Sequence, residues 1–319
     1  MTFLHRETEG NVFFLVEVIR TLAEQSGRLE QIGQATLPRN IFAQGIFTII
    51  QHRLEHVADE DRPYLDYAAV GGRGLDAQLL ARAFPGLDVD AWLLRMADAN
   101  IIEVNNNTWR FSHDKLREAI LDQLPSAQLH QYHADIAEQL TQLYPNAQSG
   151  LVAYHLERSL DFQKRDVAQL EKAIFAISRA AEISWTTYAN NQAMEMYRRV
   201  LELEKTHRQW VSEIGAPFKP LATPQVAEWH VRLGMTQFAA FMYSSTRDNL
   251  EMALHLLAQP MPTSAAAAGR RILGQMARQM LHRVFPSRYF NQASRHERDN
   301  LKQVAEIINN HRHGVLYDG

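Results

Sequence analysis

The sequence contains no cysteine, and only six of its 33 basic residues are lysine: Lys115, Lys164, Lys172, Lys205, Lys219 and Lys302. The first absence excludes disulfide scaffolds, cysteine-ligated zinc and thiol nucleophiles. It fits a reducing, cytoplasmic setting. The second is sharper, because none of the six lysines follows a glycine. A phosphate-binding P-loop needs Gly-Lys-Ser/Thr, whose lysine reaches the β/γ-phosphates from a loop of backbone N–H groups. These 319 residues hold no such loop. No apolar run approaches the roughly 20 residues that span a bilayer. The segment Met1–Gly10 carries charge where a signal peptide needs an apolar core. The sequence therefore predicts neither a membrane span nor a secretory leader.

What is present is ordinary globular material, 46% apolar and 22% charged, with a net charge of −3. The length suits about two or three domains. Helical periodicity dominates. Phe13 to Leu22 and Ile41 to Val57 read as amphipathic helices on either side of a loop, together making a first region, 1–58. From Asp59 the texture changes. Asp59-Glu60-Asp61 precedes a helix broken by Gly71-Gly-Arg-Gly74; Asp76 to Phe84 is a short helix and Val89 to Asp98 another, with Trp92, Leu93 and Met96 inward. Ile101–Val104 and Thr108–Phe111 flank Asn105-Asn-Asn107, a hairpin signal. Ser112-His-Asp114 opens a closing helix. Three helices, a hairpin and a helix over 59–125 describe a winged helix.

The remainder, 126–319, reads as helical repeats. Ala181, Ala193, Tyr197 and Val200 match the small/large offsets of a tetratricopeptide unit, and Gly234 and Ala253 repeat part of that spacing downstream. The two sets lie further apart than one repeat period. The excess is assigned to a proline-containing loop near 206–225, which holds Pro217, Pro220 and Pro224. A further helix is predicted over Arg270–Phe285. The expected fold class is mainly α: a winged helix with its small β-hairpin, followed by a tetratricopeptide-like array.

Chemistry is sparse. Asp59, Glu60 and Asp61 read as a charged helix start rather than an acid/base pair. No Gly-x-Ser-x-Gly elbow exists. His52/His56 and His130/His133 lack the His-Glu-x-x-His order of a zinc protease, and no metal site is expected. The glycine cluster at 71–74 lies between helices, not after a strand, so it reads as a turn. By its own residues the chain is not an enzyme. The helix that would read DNA, Leu87–Ala99, carries Asp88, Asp90 and Asp98 against Arg95 alone, which opposes phosphate approach. The basic stretch lies elsewhere: Arg270, Arg271, Arg278, Arg283, Arg288, Arg295 and Arg298 face only Glu297. That stretch, with Phe285, Tyr289 and Phe290 interleaved, is a solvated repeat face or a contact for RNA, acidic lipid or an acidic partner.

The segment Trp109-Arg-Phe-Ser-His-Asp-Lys-Leu-Arg-Glu-Ala119 resembles the motif that closes the winged helix in the STAND class of signal-transduction ATPases. Glu9-Gly-Asn-Val-Phe-Phe-Leu-Val-Glu-Val18 resembles the lid-side signature of the bacterial members, with Val12 in place of the usual proline. Tyr188-Ala-Asn-Asn-Gln-Ala193 with Tyr197 resembles the first repeat after the winged helix, and Leu281–Arg288 a segment of the cyclase-linked branch. The class order is P-loop ATPase, helical lid, winged helix, repeats. The resemblance implies that 1–58 is the end of the lid and that the P-loop domain lies outside these residues. It also implies that ATP or ADP is the ligand of the intact protein, with no cofactor held by this chain alone. His113 matches the histidine that donates to the β-phosphate of ADP, with Asp114 in support. The repeats would bind a protein partner. Two other readings stay open, a winged-helix DNA-binding regulator with a repeat sensor and a free-standing repeat adaptor.

Overall fold

The computed structural model describes residues 50–145 and 149–259, except His52, and scattered positions beyond (264, 266, 267, 269, 270, 273, 274, 276, 302 and 305). The chain divides into two compact units, with the boundary between Leu143 and Tyr144. Among the described residues it is mainly helical, with one two-stranded antiparallel sheet.

In the first unit, α1 (Arg62–Gly71), α2 (Ala77–Ala83) and α3 (Val89–Asp98) precede strands β1 (Ile102–Asn105) and β2 (Thr108–Phe111). Two helices follow, α4 (Asp114–Gln123) and α5 (Ser126–Leu143). Local chemistry sets the boundaries. Helix α1 stops where Gly72 takes a φ of 142°, a conformation that side chains with a Cβ rarely adopt. Asp76 caps α2 by accepting from the N–H groups of Gln78 and Leu79, and Asp88 caps α3 by accepting from Ala91. The hairpin closes on Asn106 and Asn107, whose φ values of 48° and 64° suit the turn that matches strand twist. It pairs Ile102 with Phe111 and Asn105 with Thr108. Gly74, between α1 and α2, forms a bridge to Arg110, so the loop after α1 is tied to the outer edge of β2. Trp92, Leu65, Ile101, Phe111 and Leu116 are fully buried at the centre of the unit.

Two expectations change here. Ile50, Leu54 and Val57 are buried, Arg53 donates to the Asn100 carbonyl (3.0 Å), and Arg62 donates to the Leu54 carbonyl (2.8 Å). The described tail of 1–58 is thus packed into the first unit and is not a region of its own; the rest of 1–58 lies outside the described residues. Helix α5, expected among the repeats, also belongs to this unit. Tyr67 donates to Asp135 (2.6 Å) and Arg82 to Gln139 (2.8 Å), while Ile136, Ala137 and Leu140 are buried. Pro125 ends one helix and permits another to start beside it, but which core the new helix joins is decided by its apolar face.

In the second unit, α6 (Ser149–Arg158), α7 (Val167–Thr186), α8 (Asn190–Ile214), α9 (Thr223–Ala239) and α10 (Tyr243–Leu256) run in succession. Helix α8 contradicts the loop expected near 206–225. It continues to Ile214, burying His207, Trp210 and Val211, and only 215–222 connects it to α9. Residues 206–214 contain no glycine or proline, so nothing breaks the helix before Gly215 and Pro217.

The hairpins α7–α8 and α9–α10 share one turn geometry, with Tyr188 of the first corresponding to Phe241 of the second. Both take a left-handed φ, 62° and 60°. The Ala189 N–H donates to the Ser184 carbonyl (2.8 Å) as that of Met242 does to Gln237 (2.9 Å). Ala181, Ala193, Tyr197 and Val200 are buried, and so are their counterparts Gly234, Thr246, Leu250 and Ala253. Gly234 is needed for close approach: a Cβ there would lie 3.1 Å from a Leu250 methyl and 3.4 Å from the Thr246 carbonyl oxygen.

Candidate functional site

Of the residues singled out by sequence, His113 and Asp114 lie where β2 meets α4. Phe111 and Leu116 are fully buried and fix the strand and helix on either side. Between them Ser112 donates from Oγ to the Asn100 carbonyl (2.9 Å), holding the connection against the end of α3. His113 is the N-cap of α4, extended at φ −149°, and its Nδ1 accepts from the Lys115 N–H at 3.1 Å. An accepting Nδ1 leaves the ring proton on Nε2. Asp114 sits in the first turn, where the helix dipole favours an acid. Its Oδ1 lies 3.2 Å from Nε of Arg73, in the loop after α1. The Arg73 carbonyl in turn accepts from the Phe111 N–H (3.0 Å), so the loop, the strand and the helix start form one assembly.

Burial pushes the His113 imidazole below its ordinary pKa, with Asp114 opposing and Arg73 adding to the shift. The ring is therefore neutral near pH 7. Capping has a stability consequence. His113→Ala is expected to destabilise the first unit by about 1 kcal/mol, whereas His113→Asp restores the acceptor and the acid and costs less. Urea unfolding of the two variants checks this; equal losses would mean the Nδ1 contact contributes nothing.

Asp61 departs from its expected role. It occupies the N-cap position of α1 but makes no side-chain cap. Buried at 3% exposure, it accepts two bonds from Arg95 of α3, at 3.0 and 2.7 Å. The one cation on α3 is thus committed to an internal carboxylate, while Asp88, Asp90 and Asp98 remain on that helix or its cap. Of the basic stretch, Arg270 is exposed on a helical segment; Arg271, Arg278, Arg283 and Arg288 lie outside the described residues. His52 also lies outside them, while His133 is nearly buried on α5. Among the described residues no group of three or more His, Asp or Glu could hold a metal ion, and no helix is long and apolar enough to cross a membrane.

The second unit carries a cleft that sequence reasoning missed. A pocket of about 240 Å³ is lined by Trp185, Gly234, Phe238, Ala239, Thr246 and Leu250, among others. Its signal is available in Gly234, the small residue in a stripe of large ones. Nearby, His230 shares a hydrogen bond of 2.8 Å with Asn249, whose amide donates to Gln237 (3.0 Å). Burial pulls the His230 pKa down, with the Asn249 bond and Glu204 opposing. A lowered histidine pKa gives stability that is full above about 6.5 and is lost as pH falls below that value. Stability of the second unit is expected to drop on acidification in this window, with a shallower slope in His230→Gln. An unchanged slope in thermal scans across that range would contradict it.

A scan against protein-family models, a search of curated proteins and a search of solved structures each return no match to this chain.

Proposed function

We propose that this chain is the regulatory, protein-interacting portion of a STAND-type signal-transduction ATPase. Its helical repeats would receive a partner or ligand, and its first unit would pass that state to a nucleotide held by a P-loop ATPase outside these residues. The observation that carries the reading is His113. It heads a helix directly behind the hairpin, beside an Arg73–Asp114 pair, with its ring proton on Nε2. A helix N-terminus with an oriented N–H donor suits an anionic phosphate. The order α1, α2, α3, hairpin, α4 supports a winged helix, as does the bridge from Gly74 to β2. The tetratricopeptide-like reading is supported by the matched hairpins, in which Gly234 meets Thr246 and Leu250 at the offsets of such a unit.

The chain alone has no catalytic role in this reading and does not hold ATP or ADP tightly. Fluorescent ADP titrated into it is expected to give no saturable signal; micromolar binding would overturn the assignment of nucleotide holding to an outside domain. Joined to a P-loop ATPase of the class, His113→Ala and His113→Asp are both expected to speed ADP release by about tenfold or more, since each removes one donor to a charged phosphate. His113→Asp retains the cap, so a slow release in that variant would show that His113 acts only as a helix start.

A further inference from the structure

The two hairpins of the second unit present a common edge at their turns. Ile183 to Met194, across the α7–α8 turn, and Leu233 to Thr246, across the α9–α10 turn, hold no charged residue in a chain that is 22% charged. Tyr188 and Phe241, at matched places in the two turns, are 88% and 78% exposed, the two most exposed large apolar side chains among the described residues. Both sit in the left-handed region, which asparagine or glycine adopts more readily than an aromatic residue. Each is tied to the cleft. The Tyr188 N–H donates to the Trp185 carbonyl (3.1 Å) and that of Phe241 to the Phe238 carbonyl (3.0 Å), and Trp185 and Phe238 both line it. Gly234, Thr246 and Leu250 are its buried floor; its walls are the partly exposed Trp185, Met235 and Phe238 and the exposed Ala239. A projecting ring and a hollow thus lie side by side on one neutral edge.

We propose that this edge joins a second copy of the chain, with Tyr188 of each copy entering the cleft of the other. The sizes agree. An apolar cavity of about 150 Å³ takes up a benzene ring, and this cleft, at about 240 Å³, has room for one phenol. Its walls offer that ring two aromatic neighbours and a methionine, whose unbranched side chain adapts to the shape presented. A knob and its hole on one surface are what a two-fold contact requires: each copy gives one and receives one, and the pair closes without a third. Charge points to the same occupant. A neutral edge meets its own copy without like-charge repulsion, whereas it offers an acidic or basic partner nothing to pair with. The first charged residues after the two stretches are Glu195 on α8 and Arg247 on α10, both exposed. Two-fold docking sets the first hairpin of one copy against the second hairpin of the other, which brings these opposite signs to the same rim. Ile183, Tyr188, Phe241 and Met242 with the cleft walls make a small interface, of the class that associates weakly and reversibly.

The contact rests on the second unit alone, so it and the nucleotide reading can fail separately. In sedimentation velocity the full chain is expected to be a dimer at about 100 μM and to dissociate on dilution to about 1 μM. Tyr188→Asn removes the ring and keeps a residue suited to a left-handed φ, while Ala239→Glu places a charge on the exposed wall of the cleft. Each is expected to weaken dimerisation by about tenfold or more. Mixed together, the two variants are expected to pair with each other more tightly than either pairs with itself. The Tyr188→Asn chain keeps an open cleft, and the Ala239→Glu chain keeps the ring that fills it. Circular dichroism of each variant verifies that it folds as the parent does. A parent chain that stays monomeric at the higher concentration, dimerisation unchanged in both variants, or a mixture no tighter than either alone would each overturn the proposal. So would a monomeric parent that sediments with phosphatidylcholine vesicles through Tyr188, which would assign the edge to a lipid surface.

Discussion

Trp229→Ala is expected to destabilise the second unit by about 3–5 kcal/mol. Trp229 is 1% exposed on α9, in one core with Ala181, Tyr197 and Val200 of α7 and α8. Its indole N–H donates to Ser178 Oγ at 2.7 Å, and the Phe175 ring meets it edge-on at 6.1 Å. Truncation removes a large side chain joining the two hairpins and leaves a cavity that rigid helices cannot close. Trp229→Phe keeps most of the volume. The Ser178 hydroxyl, partly exposed, regains water, so this variant loses roughly one hydrogen bond's net worth, about 1 kcal/mol, plus a smaller packing defect. Urea unfolding followed by circular dichroism separates these outcomes. In a chain of two compact units, only one of two transitions should move. A loss below about 1 kcal/mol for the alanine variant would mean that α9 is not held by this contact.

The core that Trp229 enters is legible in part. The small residues Ala181 and Ala193 and the large Tyr197 announce a helical hairpin because their spacing is a local property of two helices in contact. The turn at Asn106–Asn107 and the stop at Gly72 are legible for the same reason: each is decided within a few residues by backbone conformation. The inference from period to loop does not hold. The repeat period leaves an excess of chain between the two hairpins, and three prolines suggest coil for all of it. Helix α8 instead absorbs 206–214, since this stretch contains no breaker and offers Trp210 and Val211 to the core. Periodicity predicts that chain is inserted, while the absence of glycine and proline decides what form it takes.

The candidate site shows the same division. That His113 opens a helix is readable from Ser112-His-Asp114. The lowering of its pKa is not, because its main cause is burial, which only the fold supplies, with Arg73 from the loop after α1 adding to it. Asp61 is the clearest case. Next to Arg62 and Pro63 it has the place of an acid serving the helix dipole, yet its partner is Arg95 on α3. A carboxylate buried at 3% exposure must be paired, and Arg95, itself half exposed, satisfies it with two hydrogen bonds. Local sequence carries the capping propensity; it does not carry the tertiary neighbour that competes with it.

Gly234 offers the second large effect, with a sign that depends on the size of the added side chain. In Gly234→Ala, the new Cβ would stand 3.1 and 3.2 Å from two Leu250 carbons, so Leu250 must yield by a few tenths of an ångström. Against that strain stands the gain of up to about 1 kcal/mol for replacing glycine by alanine inside a helix. The two nearly cancel, and the alanine variant is expected within about 1 kcal/mol of the parent. Gly234→Val adds two methyls on a β-branch that cannot rotate away within a helix. One of them is driven toward the Thr246 carbonyl, which is backbone and does not yield. Overpacking here is expected to cost about 3 kcal/mol and to push α10 away from α9. Leu250→Ala alone should cost about 2–5 kcal/mol through the cavity it leaves. Combined, the two substitutions share that space, so the double variant should be more stable than the sum of the single losses predicts, by about 0.5–3 kcal/mol. Strict additivity would mean that Gly234 and Leu250 do not touch. Coupling would fix α9 against α10 as the Thr246 and Leu250 contacts require, and with it the position of the pocket those residues line.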